Sequence, residues 1–234
     1  MIIYENSKEG FLEDVMDDCI VEEIKRTHRE KGMSIGGEAE IRSWQNSLQF
    51  MYKVLSGSDV PDDSGVAIEY KVPLMKNQID FMISGNDDEG NSNIIIIELK
   101  QWNGENTEVI DGKDGYVETV INGAKVESPH PSYQAWSYSN FIEDFNVPVQ
   151  ENKVNLDPLA YLHNFEKKHR ETLEDENYEE YIEEAPLYLK GDARKLRTYL
   201  EKQIKEGDDR ENIYKVDNGK VKPSKSLQDS ITGM

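Results

Sequence analysis

Hydrophobic positions along the chain alternate between helical and strand periods. Between about 10 and 31, Phe11, Leu12, Val15, Met16, Ile20, Val21 and Ile24 recur at helical spacing and Gly32 offers a stop. This predicts one long scaffold helix. A second helix is predicted over about 37–55, where Trp44, Leu48, Met51 and Leu55 form an inward stripe at spacings of four, three and four. Extended back one turn, that stripe lands on Glu40. A carboxylate on a buried helical face is costly unless it is paired or bound to a cation. The alternative is that Glu40 sits close enough to the helix end to reach water.

After a Gly/Ser/Asp loop (56–65), strands are predicted at 66–72, 79–84 and 93–100. Val66, Ile68, Tyr70 and Val72 alternate as in a half-buried strand. The acidic, turn-rich stretch 86–93 predicts an antiparallel hairpin between the second and third strands. Residues 103–115 read as turns, and Asn122-Gly123 marks a small hairpin. A helix at about 132–145 carries Gln134, Tyr138, Phe141 and Phe145 on one face. A strand over 158–165 follows, then a charged helical or mobile segment over 166–184. A strand over 185–190 precedes a helix over about 193–206, with Asp192 as N-cap and Gly207 as stop. Residues 1–207 therefore read as one α/β domain with a mixed sheet flanked by helices, and 208–234 as a polar linker or extension.

Composition narrows the function classes. The single cysteine, Cys19, rules out an intrachain disulfide and any C-x-x-C metal site, and it fits a reducing compartment. No apolar run approaches the ~20 residues of a membrane span, and the N-terminus lacks the regions of a signal peptide. The expectation is a soluble, cytoplasmic protein. A net charge of −20 opposes non-specific binding to nucleic acid, so a nucleic-acid substrate requires locally gathered cations or delivery by a partner. No phosphate-binding G-x-x-x-x-G-K-[ST] loop occurs in the chain.

Candidate chemistry then appears at strand ends. Asp80 interrupts the short apolar strand Ile79 to Ile83, and Glu98-Leu99-Lys100 closes the run Ile94 to Ile97. Side chains two apart on a strand share a face, so Glu98 and Lys100 project together. An aspartate on the neighbouring strand allows two carboxylates to hold a divalent cation beside an ammonium. Hard cations such as Mg²⁺ take one or two carboxylates plus waters and phosphate oxygens. Taken alone, Glu-x-Lys is a weak signal, since buried strands often end in charge. Gln134 and Tyr138, four apart on a helix, add a polar pair to an apolar stripe. A helix-capping or core hydrogen bond is the plainer account of that pair. For His130 it is closure of the helix N-terminus, and for Trp102 and Trp136 it is core packing. The basic clusters Lys167-Lys168-His169-Arg170 and Arg194-Lys195-Arg197 offer contacts to phosphates, but amid so many acids a solvated, salt-bridged face is the plainer account.

Ile79-Asp80, seventeen residues, Glu98-Leu99-Lys100, then Gln134-x-x-x-Tyr138, with Glu40 upstream, resembles the PD-(D/E)XK nuclease superfamily and its RecB-like branch. The wording His130-Pro131-Ser132-Tyr133-Gln134 and Tyr188-Leu189-Lys190-Gly191-Asp192 is similar to the N-terminal nuclease-like region of bacterial proteins that carry a helicase domain. The resemblance covers roughly residues 35–230 and departs from the family pattern only in Ile79 at the motif's proline. It implies a restriction-endonuclease-like core that cuts DNA with Mg²⁺ or Mn²⁺. Asp80, Glu98 and Glu40 would be metal ligands, and Lys100 the water-activating or charge-stabilising group. Gln134 and Tyr138 would position the site, and a helicase motor would lie beyond residue 234 or in a partner. A nuclease fold kept as a catalytically inactive docking module, or an RNase of the same fold, are the alternatives.

Overall fold

The computed structural model describes residues 1–151 and 153–224. Six strands form the central sheet in the order β1 (Tyr4–Ser7), β2 (Gly65–Lys71), β3 (Gln78–Asn86), β4 (Ser92–Lys100), β8 (Asn155–Leu162) and β9 (Leu187–Leu189). The first four pair antiparallel, whereas β4, β8 and β9 run parallel. The sheet is mixed and the fold is α/β, as the sequence predicts. The isoleucine run of β4 is buried on both faces, as expected for a strand with helices on either side.

One face carries helices α1 (Lys8–Met16), α2 (Ile20–Glu30), α3 (Glu38–Leu55) and α8 (Ala193–Gln203), packed through Phe11, Ile24, Met51 and Leu196 onto Ile95, Ile97 and Phe81. The opposite face is covered by α4 (Pro131–Phe145), α5 (Val147–Gln150) and α9 (Glu211–Asp217), through Tyr138, Ile142, Val149 and Ile213 onto Ile94, Ile96 and Tyr70. Between β4 and α4 the chain makes an excursion, a small antiparallel sheet of β5 (Glu108–Val109), β6 (Tyr116–Ile121) and β7 (Ala124–Pro129). Its tight turn is Asn122-Gly123, both at positive φ (53° and 80°), the mirror-image turn that matches strand twist. Two short helices, α6 (Arg170–Leu173) and α7 (Glu179–Glu184), occupy the charged 166–184 segment and bury Leu173, Tyr178 and Tyr181 beside β8.

Four expectations are corrected. The predicted helix over 10–31 is two helices, broken at Asp17-Asp18-Cys19, where Asp18 adopts φ 56° and turns the chain. The strand predicted over 158–165 begins at Asn155 and ends at Leu162. Pro158 is tolerated because β9 pairs only with residues 160–162, leaving the proline on an open edge. Asp192 does not cap α8 forward, because its carboxylate accepts from Leu189 N instead (3.1 Å). Residues 208–224, expected as a linker, fold onto the core. Asp208 accepts from Gly65 N (3.1 Å) and Asn212 N (3.0 Å), and the buried Asn212 amide donates to Gly85 O (2.9 Å). The rest of the expected extension, 225–234, lies outside the described residues. No helix among the described residues is long and apolar enough to cross a membrane.

Candidate active site

The site forms where β2, β3 and β4 lose their regular pairing. β3 and β4 pair from Phe81↔Ile97 inward, which leaves Asp80 and Glu98 opposite each other just past the last paired residues. Asp80 Oδ2 accepts a hydrogen bond from Leu99 N (2.8 Å), so the aspartate is tied to the adjacent strand in place of a backbone pair. Lys100 Nζ lies 2.6 Å from Glu98 Oε1, with Glu98 1% and Lys100 18% exposed. No protein donor among the described residues reaches Glu98 Oε2, a buried carboxylate oxygen left unsatisfied.

Electrostatics follow from burial. Burial first, then the Asp80 carboxylate, push Glu98 well above the usual carboxylate range, outweighing the Lys100 ammonium. Burial likewise raises Asp80, against the lowering pull of Lys100 and of the Leu99 N–H. The two carboxyls lie within hydrogen-bonding reach of each other, so one proton can be held between them without metal. Burial disfavours the Lys100 ammonium, but Glu98 and Asp80 overcome it and hold its pKa above the ordinary lysine value. Beside these carboxylates Lys100 is a positive charge suited to stabilising an anion.

Gln134 and Tyr138 stand behind this pair. Gln134 Nε2 donates to the Tyr138 hydroxyl (2.8 Å), and Tyr138 is buried on the α4 side of the sheet, the side to which Ile94 and Ile96 point in step with Glu98. Burial, then the Glu98 and Asp80 charges, raise the Tyr138 hydroxyl above its ordinary range. The helical pair thus backs the carboxylates from beneath.

In front lies a cleft of about 710 Å³, bounded by α3, by the ends of β2–β4 and by the tip of the β6–β7 hairpin. Asp80 and Lys100 face it, with Glu40, Ser43, Asn46 and Gln101 on the α3 side and Ile121 and Asn122 on the hairpin. Glu40 therefore belongs to the cleft, but its carboxylate is engaged by the backbone N–H of Gly36. Glu38, 89% exposed beside Arg42, faces away. We expect Glu38→Gln to be nearly silent in a nucleic-acid cleavage assay. Glu40→Gln should slow cleavage or weaken Mn²⁺ binding without unfolding the protein. Normal cleavage by the Glu40 variant would reduce the site to Asp80, Glu98 and Lys100.

Sequence reasoning missed Glu69. It sits opposite Asp80 on β2, at the one position that the β2–β3 ladder skips between Ile68↔Phe81 and Tyr70↔Ile79. Its φ is 56°, a costly conformation for a residue with a Cβ. Both strands change face there: Ile68 and Phe81 point toward α3, Tyr70 and Ile79 toward α4. The 5%-exposed Glu69 carboxylate accepts from Trp44 Nε1 (2.8 Å) and from Gln78 Nε2, and it lines the cleft. Burial, then the charge of Asp80, lift its pKa to about 8. The only signal in the sequence was a glutamate inside an otherwise apolar strand.

No protein-family model, curated protein or solved structure matches the chain. Among the described residues no group of three or more His, Cys, Asp or Glu side chains is arranged to hold a metal ion. The donor set that does converge is a pair, Asp80 and Glu98, of which Glu98 has an unsatisfied buried oxygen. Asp80 lines the cleft and Glu98 lies buried directly behind it, and two hard oxygen donors so placed fit Mg²⁺ or Mn²⁺, whose remaining positions are taken by water and phosphate.

Proposed function

We propose that this protein is a metal-dependent nuclease with a restriction-endonuclease-like core, acting on DNA and coupled to a helicase motor in the same chain or a partner. The observation that carries the reading is the convergence of half-buried Asp80, buried Glu98 and the Lys100 ammonium, with Asp80 and Lys100 lining an open cleft. Asp80 and Glu98 would hold the cation, which when bound lowers the pKa of a water and offsets charge on the phosphate. Lys100 supports the negative charge that builds on a non-bridging phosphate oxygen as the water oxygen bonds to phosphorus and the P–O bond to the leaving sugar oxygen breaks. Gln134 and Tyr138 keep the carboxylates in place, and α3 with the β6–β7 hairpin confines the strand.

A motor that feeds the strand answers the objection raised by the −20 charge. The direct test is incubation with supercoiled and linear DNA, and with RNA of matched sequence, in Mg²⁺, Mn²⁺ or chelator. Metal-dependent cleavage of DNA is expected. Cleavage of RNA alone would reassign the substrate, and no cleavage of either would remove the enzyme reading. One observation favours an inactive docking module: without metal, Lys100 already neutralises Glu98. Calorimetry separates the two, since the module would bind no Mn²⁺ through Asp80 and Glu98.

A further inference from the structure

The three parallel strands end in one row. Lys100 of β4 stands opposite Leu162 of β8, and Leu162 opposite Leu189 of β9. One residue further on, Gln101, His163 and Lys190 follow along the carboxyl edge of the sheet. Neighbouring strands are ~4.8 Å apart, so the backbone of Lys190 is ~10 Å from that of Gln101. In open α/β sheets this edge is where ligands collect. The turn containing Lys167 and Lys168 packs against the same edge. Gly104 leaves no room for a Cβ beside the His169 ring, and Lys190 N donates to Phe165 O (3.1 Å).

The charges in this corner do not balance. Lys167 and Lys195 share Asp192 (2.6 and 3.5 Å), Lys190 and Lys168 share Glu166 (3.2 and 3.0 Å), and Lys168 also reaches Glu105 at 3.7 Å. Arg194 is exposed and makes no ion pair among the described residues. Five cations thus meet three carboxylates, in a chain that carries −20 overall. The four lysines are 43–72% exposed, and ion pairs so exposed hold their partners weakly. A polyanion laid across the corner would supply the missing negative charge.

We propose that Lys167, Lys168, Lys190, Arg194 and Lys195 form the contact surface for the sugar–phosphate backbone of the nucleic-acid strand being cut at Asp80, Glu98 and Lys100. This rests on the nuclease reading. A span of ~10 Å is about three nucleotides at ~3.4 Å of rise each, a short path from the cleft. The side chains between, Gln101, Ser47 and His163, are hydrogen-bonded to one another through Ser47 Oγ (3.3 and 3.1 Å). Burial keeps His163 neutral, its pKa held down at about 4, so they form an uncharged bridge. Backbone contacts of this kind fix register and carry no sequence preference.

The test is anisotropy of a short fluorescent unpaired oligonucleotide in chelator, titrated at several salt concentrations. Wild type is compared with the double variant Lys190→Ala, Arg194→Ala, and with Lys25→Ala, Arg26→Ala on α2, an equal change of charge elsewhere. The patch variant should bind about 5–10-fold more weakly at low salt, with a log–log salt slope smaller by about 1.4, two contacts at ~0.7 each. The α2 variant should behave as wild type, and Mn²⁺ affinity should be the same in all three. Unchanged affinity and slope in the patch variant overturns the proposal, as does equal weakening in the α2 variant. Displacement of the oligonucleotide by polyglutamate as readily as by unlabelled oligonucleotide would also overturn it, assigning the patch to acidic proteins. In all three of those cases metal-dependent cleavage stands. A wild type that neither binds Mn²⁺ nor cleaves removes the nuclease reading and this surface with it.

Discussion

Asp80→Asn protein is expected to lose about three orders of magnitude in cleavage rate while melting no lower than wild type in chelator. The two halves of that result have separate causes. A loss of ~10³ corresponds to about 4 kcal/mol of transition-state stabilisation, the scale expected when a cation loses one of two carboxylate ligands. The apo fold, by contrast, gains from the change. Asparagine keeps an oxygen for the Leu99 N–H and places an amide donor near Glu98, whose buried Oε2 lacks one. Saturating Mn²⁺ should raise the wild-type melting temperature by roughly 5–10 °C, as binding at ~100 times Kd contributes about 2.7 kcal/mol. The variant should show no such rise. A large drop in its apo melting temperature would mean that Asp80 is a structural residue.

Glu69→Gln should stabilise the apo protein in a strongly pH-dependent way. Glu69 is raised from 4.5 to about 8 in the folded state. Its contribution is therefore fully present below about pH 4.5 and is lost as pH rises through 8. Wild type should weaken across that window, with Asp80 and Glu98, both also raised, adding to the slope. Glutamine has no proton to lose, and its amide oxygen still accepts from Trp44 Nε1. Gln78 needs only to turn its amide over. The two proteins should melt together near pH 4.5 and diverge by a few kcal/mol, roughly 5–10 °C, by pH 8.5. Thermal melts across the range decide it, and equal melting temperatures at pH 8.5 would show that Glu69 ionises without cost.

The elements that frame the site were legible because their signals are local and redundant. The stripe of α3, the Asn122-Gly123 turn, the β3–β4 hairpin and the polar pair on α4 each satisfy a single period over many residues. Features that depend on one residue leaving its period were not. The strand 66–72 reads as an unbroken alternation, and nothing in that pattern registers the positive φ of Glu69, which sends Ile68 and Tyr70 to opposite faces. The break at Asp18 is hidden in the same way, since α1 and α2 each keep a helical spacing that reads as one continuous run. α9 escaped notice because Ile213 and Val216 are its only buried apolar residues, in a polar stretch, and its anchorage comes from Asp208 and Asn212. Long-range polar contacts of this type have no sequence period at all.

The excursion that carries β5–β7 leaves the sheet after β4 and ends at the start of α4 with His130, whose ring is stacked on Tyr178 (4.4 Å) and bonded to Leu173 O (3.1 Å). One wall of the cleft is thus an appendage with fixed roots, whereas the proposed reacting groups sit on strands that the appendage does not build. Loops of that kind tolerate insertion and deletion far better than the elements that root them. Selection, or an engineer, can therefore change the gauge of the opening by lengthening or trimming the 118–127 ribbon, and leave the proposed site at Asp80, Glu98 and Lys100 untouched.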